Sequence, residues 1–257
     1  MARIFISGSS DGLGLMAGRR LANQGHEVVL HARNDARAAD AKKALPKAAA
    51  VVVGDLATIA AAKDVARQVN ALGSFDAVIH NAAVGYREGH RVTNDGLPHV
   101  FAVNTLAPYA LTALIERPKR LVYLSSGMHA RAEAHLDDIL WRKRPWDGSS
   151  AYAESKLHDV MLAFAAARRW PSVLSNALTP GWVPTKMGGA GAPDDIDQGH
   201  LTQAWLATSD DPAARTSGGY FYHLARREPN PEAHDVALQD RLIDICREIS
   251  GVDMPRP

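Results

Sequence analysis

Tyr152 and Lys156 are the residues of this chain best suited to proton chemistry, because they stand four positions apart. Apolar residues follow the pair at helical spacing, at Leu157, Val160, Met161 and Phe164. In a helix, residues four apart share one face, so the ammonium would lie beside the phenol. A nearby cation favours the phenolate and brings a phenol toward the range where it exchanges protons well. The spacing therefore predicts that Lys156 tunes Tyr152, although such pairs also occur on ordinary solvated helices.

The composition is that of one large α/β domain. With 257 residues and 46% hydrophobic content the chain can bury a large core, and we interpret residues 1–257 as a single domain. The net charge is +1 and no basic block occurs, so neither nucleic acid nor a membrane is expected as a partner. Cys246 is the single cysteine, which excludes an intramolecular disulfide and a cysteine metal cluster. Without a leader pattern or an apolar run of spanning length, we expect a cytoplasmic protein with no metal.

A glycine-rich turn separates the first strand-like run, residues 4–6, from a helical run over residues 15–24. A strand, such a turn and a helix form the first unit of a dinucleotide-binding fold, in which backbone N–H groups hold a pyrophosphate. The glycine spacing is G-x-x-x-G-x-G rather than the usual G-x-G-x-x-G. The turn residues expected to contact the cofactor are Gly8, Ser10, Gly12, Leu13 and Gly14.

Arg33 follows the second predicted strand, residues 26–31, at the position that selects between NAD and NADP. An acidic residue there accepts a hydrogen bond from the ribose of NAD, whereas an arginine pairs with the 2′-phosphate of NADP. Arg33 therefore predicts NADP as the cofactor, with NAD less favoured. Asp11 is a contrary signal, because its charge would repel that phosphate and the turn itself contains no basic residue.

Polar and small residues follow the later predicted strands, where ligands bind in a doubly wound sheet. Asn104 lies inside an apolar helical run predicted to begin at residue 94, which calls for a structural hydrogen bond or a role in holding water. Ser125 and Ser126 follow the strand over residues 120–124 and are placed to face a substrate. The other strand-end residues expected beside the cofactor are Asp55, Leu56, Asn81, Ala82, Ala83, Pro180, Gly181, Val183 and Thr185.

These motifs, in this order and at these intervals, resemble those of the short-chain dehydrogenase/reductases. The resemblance covers nearly the whole chain and rests on the glycine turn, Asn81-Ala82-Ala83, Asn104, Ser126, Tyr152 with Lys156, and Pro180-Gly181. It implies a Rossmann-type, doubly wound α/β fold with a mostly parallel seven-stranded sheet and helices on both faces. The insertion between Ser126 and Tyr152 looks like that of the retinol-dehydrogenase-like branch.

The resemblance also implies a reaction. Asn104, Ser126, Tyr152 and Lys156 would form a catalytic tetrad for hydride transfer between NADP(H) and the carbonyl or alcohol carbon of a small, largely apolar substrate. Tyr152 would exchange the proton, Ser126 would stabilise developing charge, Lys156 would hold the nicotinamide ribose, and Asn104 would anchor a water. Two alternatives stay open: a non-catalytic NADP(H)-sensing protein and an NAD-dependent alcohol dehydrogenase of the same fold. A nucleotide-sugar epimerase would need more chain after Thr185.

Substrate contacts are expected from the loop after the sixth strand. A glycine-rich stretch opens residues 186–200, which we expect to form a lid, and we expect residues 186–196 to be mobile without ligand. The residues expected to line the substrate pocket are Ser126, His129, Trp182 and Met187. A C-terminal segment over residues 220–257 would close the other side of this pocket.

The helix after Tyr152 is apolar on more than one side, which predicts assembly. The residues concerned are Leu157, Val160, Met161, Leu162, Ala165 and Ala166. A helix apolar over so much of its circumference is buried on two faces, one against the sheet and the other against a neighbour. We therefore expect a homodimer or homotetramer, unless the C-terminal segment covers the second face.

Overall fold

The computed structural model describes residues 1–255, and an eight-stranded sheet is the centre of that part of the chain. The strands are β1 Arg3–Ile6, β2 Glu27–Ala32, β3 Ala50–Val53, β4 Ala77–His80, β5 Arg120–Leu124, β6 Leu174–Thr179, β7 Gly219–Tyr222 and β8 Ala225–Arg227. Their order in space is β3-β2-β1-β4-β5-β6-β7-β8, and only the β7 and β8 pair is antiparallel. This is the predicted doubly wound Rossmann-type arrangement, whose ligand crevice opens where the strand order reverses, beyond β1 and β4.

The sheet has one strand more than the seven predicted. β8 returns along β7 through His223 and Leu224, whose φ angles are 47° and 63°. Two left-handed residues in succession are typical of a tight two-residue hairpin turn. β8 is three residues long, and its arginines are exposed at the edge of the sheet. Neither alternating hydrophobicity nor a turn glycine marks such a strand in the sequence.

Helices cover both faces of the sheet and divide the core in two. They are α1 Gly12–Asn23, α2 Asp35–Ala44, α3 Ile59–Ala71, α4 His99–Phe101, α5 Ala107–Leu114, α6 Gly148–Arg169, α7 Ile196–Gly199, α8 Leu201–Thr208 and α9 Val236–Ser250. On one face α1 and α8 pack against Ile4 and Ile6, and on the other α3, α5, α6 and α9 pack around Phe5. Successive strand residues point to opposite faces, so β1 serves both cores. Within residues 1–255 no helix has the length and apolar character needed to cross a membrane.

The helical segment around Asn104 is irregular. α4 continues through a π-helical turn over Ala102–Leu106 into α5. The helix begins at His99 and not at residue 94, because Thr93 N–H donates to Leu97 O and closes a turn just before the helix. Pro108 is the second residue of α5, directly after the π-turn, and it has no N–H to donate along this continuous helix. The irregularity is the π-turn itself, a feature that often occurs at functional sites.

α9 covers the outer face of α6 within the same chain. Leu157, Val160 and Met161 are fully buried and share one core cluster with Leu242 and Cys246 of α9. The chain beyond α9 is fastened by two further bonds, from Tyr109 Oη to Val252 O (2.7 Å) and from Trp170 Nε1 to Pro255 O (2.9 Å). The apolar face that suggests a homodimer or homotetramer is therefore covered by the C-terminal segment, the alternative that the sequence leaves open.

We accordingly expect the protein to behave as a single chain of 27.6 kDa in solution. An apolar helix face already buried inside one chain offers little further area to a second copy. Light scattering coupled to gel filtration at micromolar concentration measures the mass directly. A stable particle of twice this mass would show that a different surface pairs the chains.

Candidate active site

Tyr152 and Lys156 lie side by side near the start of α6. The helix begins where Asp147 accepts a hydrogen bond from Ser150 N (2.7 Å), which satisfies a donor of its first turn. Lys156 Nζ is 5.8 Å from the centroid of the Tyr152 ring, and Tyr152 is 7% exposed. Within residues 1–255 the contacts of Tyr152 are made by its ring and its backbone. The hydroxyl is therefore available to a ligand.

Lys156 is buried and already holds two hydrogen bonds. Its Nζ donates to Leu124 O at the end of β5 (2.8 Å) and to Asp159 Oδ2 (2.7 Å). Both charged side chains are 3% exposed. Burial raises the pKa of the Asp159 carboxyl, and Lys156 opposes that rise. Asp159 is missing from the sequence prediction, although a spacing of three residues from Lys156 is a signal for a helical ion pair.

The two serines after β5 have different environments. Ser125 is buried, and its hydroxyl donates to Lys156 O (2.6 Å), which ties α6 to the sheet. Ser126 is half-buried, and its Oγ accepts from Met128 N (3.3 Å) at the start of a short 3-10 turn. Accepting this bond leaves the hydroxyl hydrogen of Ser126 free to be donated. Of the two serines, Ser126 is the one able to bond a ligand.

Asn104 fastens the π-turn to the loop after β4. Its Oδ1 accepts from Val84 N (2.8 Å), and its Nδ2 donates to Val84 O (3.0 Å) and to Ser155 Oγ (3.0 Å). The residue is fully buried, so these bonds satisfy an amide that would otherwise be costly. Through them Asn104 holds the segment with Ala82 and Ala83, which is half-buried at the crevice, against the helix that carries Tyr152.

The glycine turn after β1 is packed so closely that side chains would not fit at Gly8 and Gly14. A Cβ added at Gly8 would lie 2.5 Å from Ala82 Cα, and one added at Gly14 would lie 2.5 Å from Asn81 Nδ2. Gly12 has a φ of 54°, in the left-handed region that favours glycine. The N-terminus of α1 has no side-chain cap, so its first N–H groups remain available. Such donors beside a close-packed glycine turn fit the pyrophosphate of a dinucleotide.

Two basic residues from other parts of the chain neutralise Asp11. Arg37 Nη2 lies 2.5 Å and Lys186 Nζ lies 2.8 Å from Asp11 Oδ2, and Arg37 also reaches Ser10 Oγ (3.3 Å). Burial raises the pKa of the Asp11 carboxyl, but Lys186 and Arg37 together hold it below its usual value. The turn itself contains no basic residue, yet α2 and the loop after β6 bring two to it. Asp11 is therefore not an isolated negative charge.

Arg33 and His31 lie at the end of β2. Arg33 is exposed at the rim of the crevice. His31 is buried, and its Nδ1 accepts from Gly8 N (2.9 Å) while its Nε2 pairs with Gly54 O (2.9 Å). Burial lowers the pKa of His31 to about 4, so the ring is a neutral bridge between the ends of β1, β2 and β3. The sequence prediction lacks this role, since nothing in an apolar strand shows which residues its side chains will meet.

Asp55 and Leu56, both expected beside the cofactor, have different environments. Asp55 is exposed after β3, and its Oδ1 accepts from Ala57 N (3.1 Å), which makes it a turn residue. Leu56 is 4% exposed and belongs to the core. Only Asp55 therefore presents its side chain at the edge of the crevice.

The loop after β6 begins with a proline and a glycine. Pro180 is half-buried, and Gly181 follows with a φ of 86°. Val183 is buried and packs against Gly199. A Cβ added at Gly199 would lie only 3.0 Å from Val183 Cγ1. Thr185 Oγ1 accepts from Gly188 N (3.1 Å), so its oxygen is engaged in the loop while its hydrogen stays free.

The predicted lid, residues 186–200, folds back toward the loop after β4. The Met187 side chain packs on that loop at Gly85, where an added Cβ would lie 2.8 Å from Met187 Cγ. Trp182 is 55% exposed, and its Nε1 donates to Gly188 O (3.0 Å). Asp194 Oδ2 accepts from Trp182 N (2.6 Å) and closes the loop. Met187 thus reaches the cleft, whereas much of Trp182 faces solvent.

The sequence of this chain is similar to those of known proteins. The uncharacterized oxidoreductase AN7799 of Emericella nidulans is 46% identical over 260 residues, which cover 99% of each chain. The short-chain dehydrogenase chyC of Penicillium rubens is 41% identical over 99% of this chain and 100% of that protein. The family model for short chain dehydrogenase matches residues 2–121. The chain belongs to the short-chain dehydrogenases. It is thus an oxidoreductase.

More distant relatives and solved structures agree with this family. Retinol dehydrogenase 13 of Mus musculus is 28% identical over 98% of this chain and 84% of that protein. The crystal structure of an uncharacterized protein from Mycobacterium paratuberculosis superposes with a TM-score of 0.82 at 24% identity, covering 99% of this chain and 95% of that one. A blue fluorescent protein from a metagenomic library, solved in complex with NADPH, superposes with a TM-score of 0.70 at 20% identity, covering 86% and 95%. The likeness to the solved structures shows the Rossmann-type fold.

His129 has a structural environment in this short-chain dehydrogenase. It is 1% exposed, and its Nδ1 pairs with Ser126 O (2.7 Å) while its Nε2 accepts from Asn230 N (3.2 Å). Burial lowers the pKa of His129, which favours this neutral form. Both ring nitrogens are engaged by backbone groups, and Tyr220 packs on the ring. This placement differs from the expected pocket wall, because a substrate would find no free ring nitrogen.

Tyr86 and Arg87 belong to the cleft of the dehydrogenase, although the sequence prediction does not include them. The Tyr86 ring meets the Tyr152 ring edge-on, with centroids 6.0 Å apart and planes at 65°. The guanidinium carbon of Arg87 lies 5.2 Å from the centroid of Tyr86. An aromatic ring thus forms part of the approach to Tyr152. The residues stand in a loop without periodicity, so only the folded chain reveals their position.

Proposed function

We propose that this dehydrogenase transfers a hydride between NADP(H) and the carbonyl or alcohol carbon of a small, largely apolar substrate, with Tyr152 as general acid and base. The observation that carries the proposal is the placement of Tyr152. Its hydroxyl is uncommitted, its ring lies 5.8 Å from the Lys156 ammonium, and α6 holds both residues beside the end of β5. A phenol in such a place can exchange a proton with a substrate oxygen.

Each member of the tetrad has a task that its contacts allow. In carbonyl reduction Tyr152 Oη donates a proton to the substrate oxygen, and Ser126 donates a second hydrogen bond that stabilises the charge developing there. Lys156 has one N–H left after its bonds to Leu124 O and Asp159, and we assign it to a ribose hydroxyl of the cofactor. Asn104 positions the loop after β4. When bound, the nicotinamide supplies or takes up the hydride.

The preference for NADP rests on two arginines. Arg33 is exposed at the end of β2, where the adenosine ribose binds in a Rossmann-type fold. Arg37, in the first turns of α2, reaches back to Ser10 and Asp11 and lies on the same side of the crevice. A guanidinium on each side of the 2′-phosphate would offset the charge of Asp11. The NADPH complex of the fluorescent protein of similar fold agrees with this choice.

Replacing Arg33 should weaken NADPH binding and leave NADH binding almost unchanged. A charge-assisted bond to a phosphate contributes ~1.5–3 kcal/mol, so Arg33→Ala should raise the dissociation constant for NADPH about 10- to 150-fold. Fluorescence titration with each cofactor measures both constants. Arg67→Ala, on the exposed side of α3, is the matched control and should change neither. A wild-type protein that binds NADH as tightly as NADPH would show that Arg33 has no such role.

The substrate pocket is proposed to lie between the lid and the loop after β4. Met187 packs on Gly85, and Tyr86 stands against Tyr152, so the pocket is largely apolar. Trp182 precedes the lid but is bonded to it through Gly188 O, so it would move with residues 186–200 when they close over a bound ligand.

A panel of aldehydes, ketones and alcohols with NADP(H) and NAD(H), followed by the absorbance of the nicotinamide, tests the proposed reaction. Turnover with NADPH or NADP on at least one member of the panel is the expected result. Turnover confined to NADH or NAD would favour the alternative of an NAD-dependent alcohol dehydrogenase. Tight NADPH binding with no turnover on any member would favour a cofactor sensor and contradict the proposal.

A further inference from the structure

The ion pair of Lys156 and Asp159 is unusual because it is buried next to the proposed proton donor. Lys156 Nζ lies 2.7 Å from Asp159 Oδ2 and 2.8 Å from Leu124 O, and the two charged side chains are 3% exposed. An isolated buried ammonium would lose its proton or its position, whereas a paired one keeps both. The tetrad chemistry assigns no task to Asp159, so its presence here needs a reason.

Among the described residues next to this ion pair, no other group can balance the positive charge of Lys156 at neutral pH. From α6 these are Tyr152 and His158. From β5 it is Tyr123, whose ring centroid lies 4.6 Å from that of His80 of β4 at an interplanar angle of 35°. Burial lowers the pKa of His80 to about 3 and of His158 to about 4, so both rings are neutral. Burial raises the pKa of Tyr123, which is therefore also neutral. The carboxylate of Asp159 is left as the counter-charge of Lys156.

This pairing weakens the influence of Lys156 on Tyr152. An unpaired ammonium some 6 Å from a phenol strongly favours the phenolate in a poorly solvated site. With a carboxylate at 2.7 Å, the ammonium acts as one end of a dipole, and its field at the phenol is reduced. The bonds to Asp159 and Leu124 O use two of the three N–H groups of Lys156 and fix the direction of the third.

We propose that Asp159 is a positioning residue for the reaction described above: it orients the Lys156 ammonium and balances its charge, and thereby sets the pH range in which Tyr152 exchanges its proton. The inference rests on the proposed function of Tyr152, but it concerns a property of the phenol that can be measured without a substrate.

The titration of Tyr152 followed by NMR tests this proposal. Protein labelled with ¹³Cζ-tyrosine gives one signal for each of the six tyrosines, and the signal lost in Tyr152→Phe identifies Tyr152. Asp159→Asn keeps a hydrogen-bond acceptor for Lys156 but removes the negative charge. Its Tyr152 midpoint should fall by about one pH unit relative to wild type. Equal midpoints would mean that Asp159 has only a structural role and would overturn the proposal.

A double variant compared with wild type tests the proposal if Asp159→Asn does not fold. Lys156→Met combined with Asp159→Leu replaces the ion pair by apolar side chains of similar volume, a change that buried pairs often tolerate. If the pair is balanced, removing both charges should move the Tyr152 midpoint by less than about half a pH unit. A rise of more than about one unit would show that the ammonium acts unopposed, contrary to the proposal.

The activity profile distinguishes this inference from the proposed function. If the panel shows turnover, the decline of carbonyl reduction at high pH should move to lower pH in Asp159→Asn by the same amount as the NMR midpoint. A uniform loss of activity at every pH would be a structural effect and would count against the proposal. If wild type shows no turnover, the proposed reaction fails, while the NMR comparison still decides the role of Asp159.

Discussion

Tyr152→Phe should abolish turnover while cofactor binding and the fold are retained. General acid catalysis by a positioned side chain contributes about 10²–10⁴-fold, and a phenyl ring has no proton to exchange. The hydroxyl of Tyr152 makes no structural bond in the described part of the chain, so its removal should change the free energy of unfolding by less than ~1 kcal/mol. We therefore expect kcat to fall at least about 100-fold, with an NADPH dissociation constant close to that of wild type.

Tyr109→Phe is the matched control for this experiment. Tyr109 is also buried, but its hydroxyl donates to Val252 O, which is outside the proposed site. Its replacement should cost ~1 kcal/mol of stability and leave kcat unchanged. Retention of more than about a tenth of wild-type kcat by Tyr152→Phe would contradict the role assigned to Tyr152.

The free energy of unfolding should fall steeply as the pH drops from about 6.5 toward 4. Burial lowers the pKa of His31 and His158 to about 4 and that of His80 to about 3, from an ordinary value of 6.5. Because the unfolded chain binds these protons more readily, the stability present above pH 6.5 is lost as the pH falls. Each histidine accounts for about 3 kcal/mol or more, a large share of the stability of an ordinary domain.

Asp159 acts in the opposite sense, since burial raises the pKa of its carboxyl and the folded protein takes up that proton first. One group of this kind offsets only part of the effect of three histidines. The dehydrogenase should therefore unfold in mild acid, before most carboxyl groups are protonated.

Urea unfolding at several pH values between about 7.5 and 5 measures this loss. His158→Gln should lower the stability at neutral pH, because the bonds of His158 to Ala134 O and Thr105 are disturbed, and it should reduce the dependence on pH by about one proton. His90→Gln, an exposed residue, should leave the pH dependence unchanged. An unfolding free energy that stays constant from pH 7.5 to 5 would contradict the neutral state assigned to the buried histidines.

The parts of the site that the sequence predicts are those set by short spacing within one element. The Tyr152 and Lys156 pair follows from helical periodicity, and the glycine turn follows from its position between a strand and a helix. The doubly wound sheet is predictable because strands and helices alternate along the chain. Eight strands are present where seven are expected, since the polar edge strand β8 has no pattern of its own.

The parts that the sequence does not predict depend on contacts between distant elements. Lys186 reaches Asp11 across the crevice, and His31 links the glycine turn to Gly54, although no periodicity relates these residues. The burial of Asp159 also depends on how α6 packs against the sheet. For the same reason, the sequence does not show whether the apolar outer face of α6 is buried by a second copy of the chain or by α9.

Transfer of deuterium from labelled NADPH tests the central claim most directly. NADPH deuterated at the hydride-donating carbon is mixed with the protein and the carbonyl panel, and the alcohols formed are analysed by mass spectrometry. We predict that wild type yields an alcohol carrying the deuterium on its former carbonyl carbon, and that Tyr152→Phe yields almost none despite binding the cofactor. Saturating NADPH binding by wild type without deuterium in any product, or equal labelling by Tyr152→Phe, would contradict hydride transfer assisted by Tyr152.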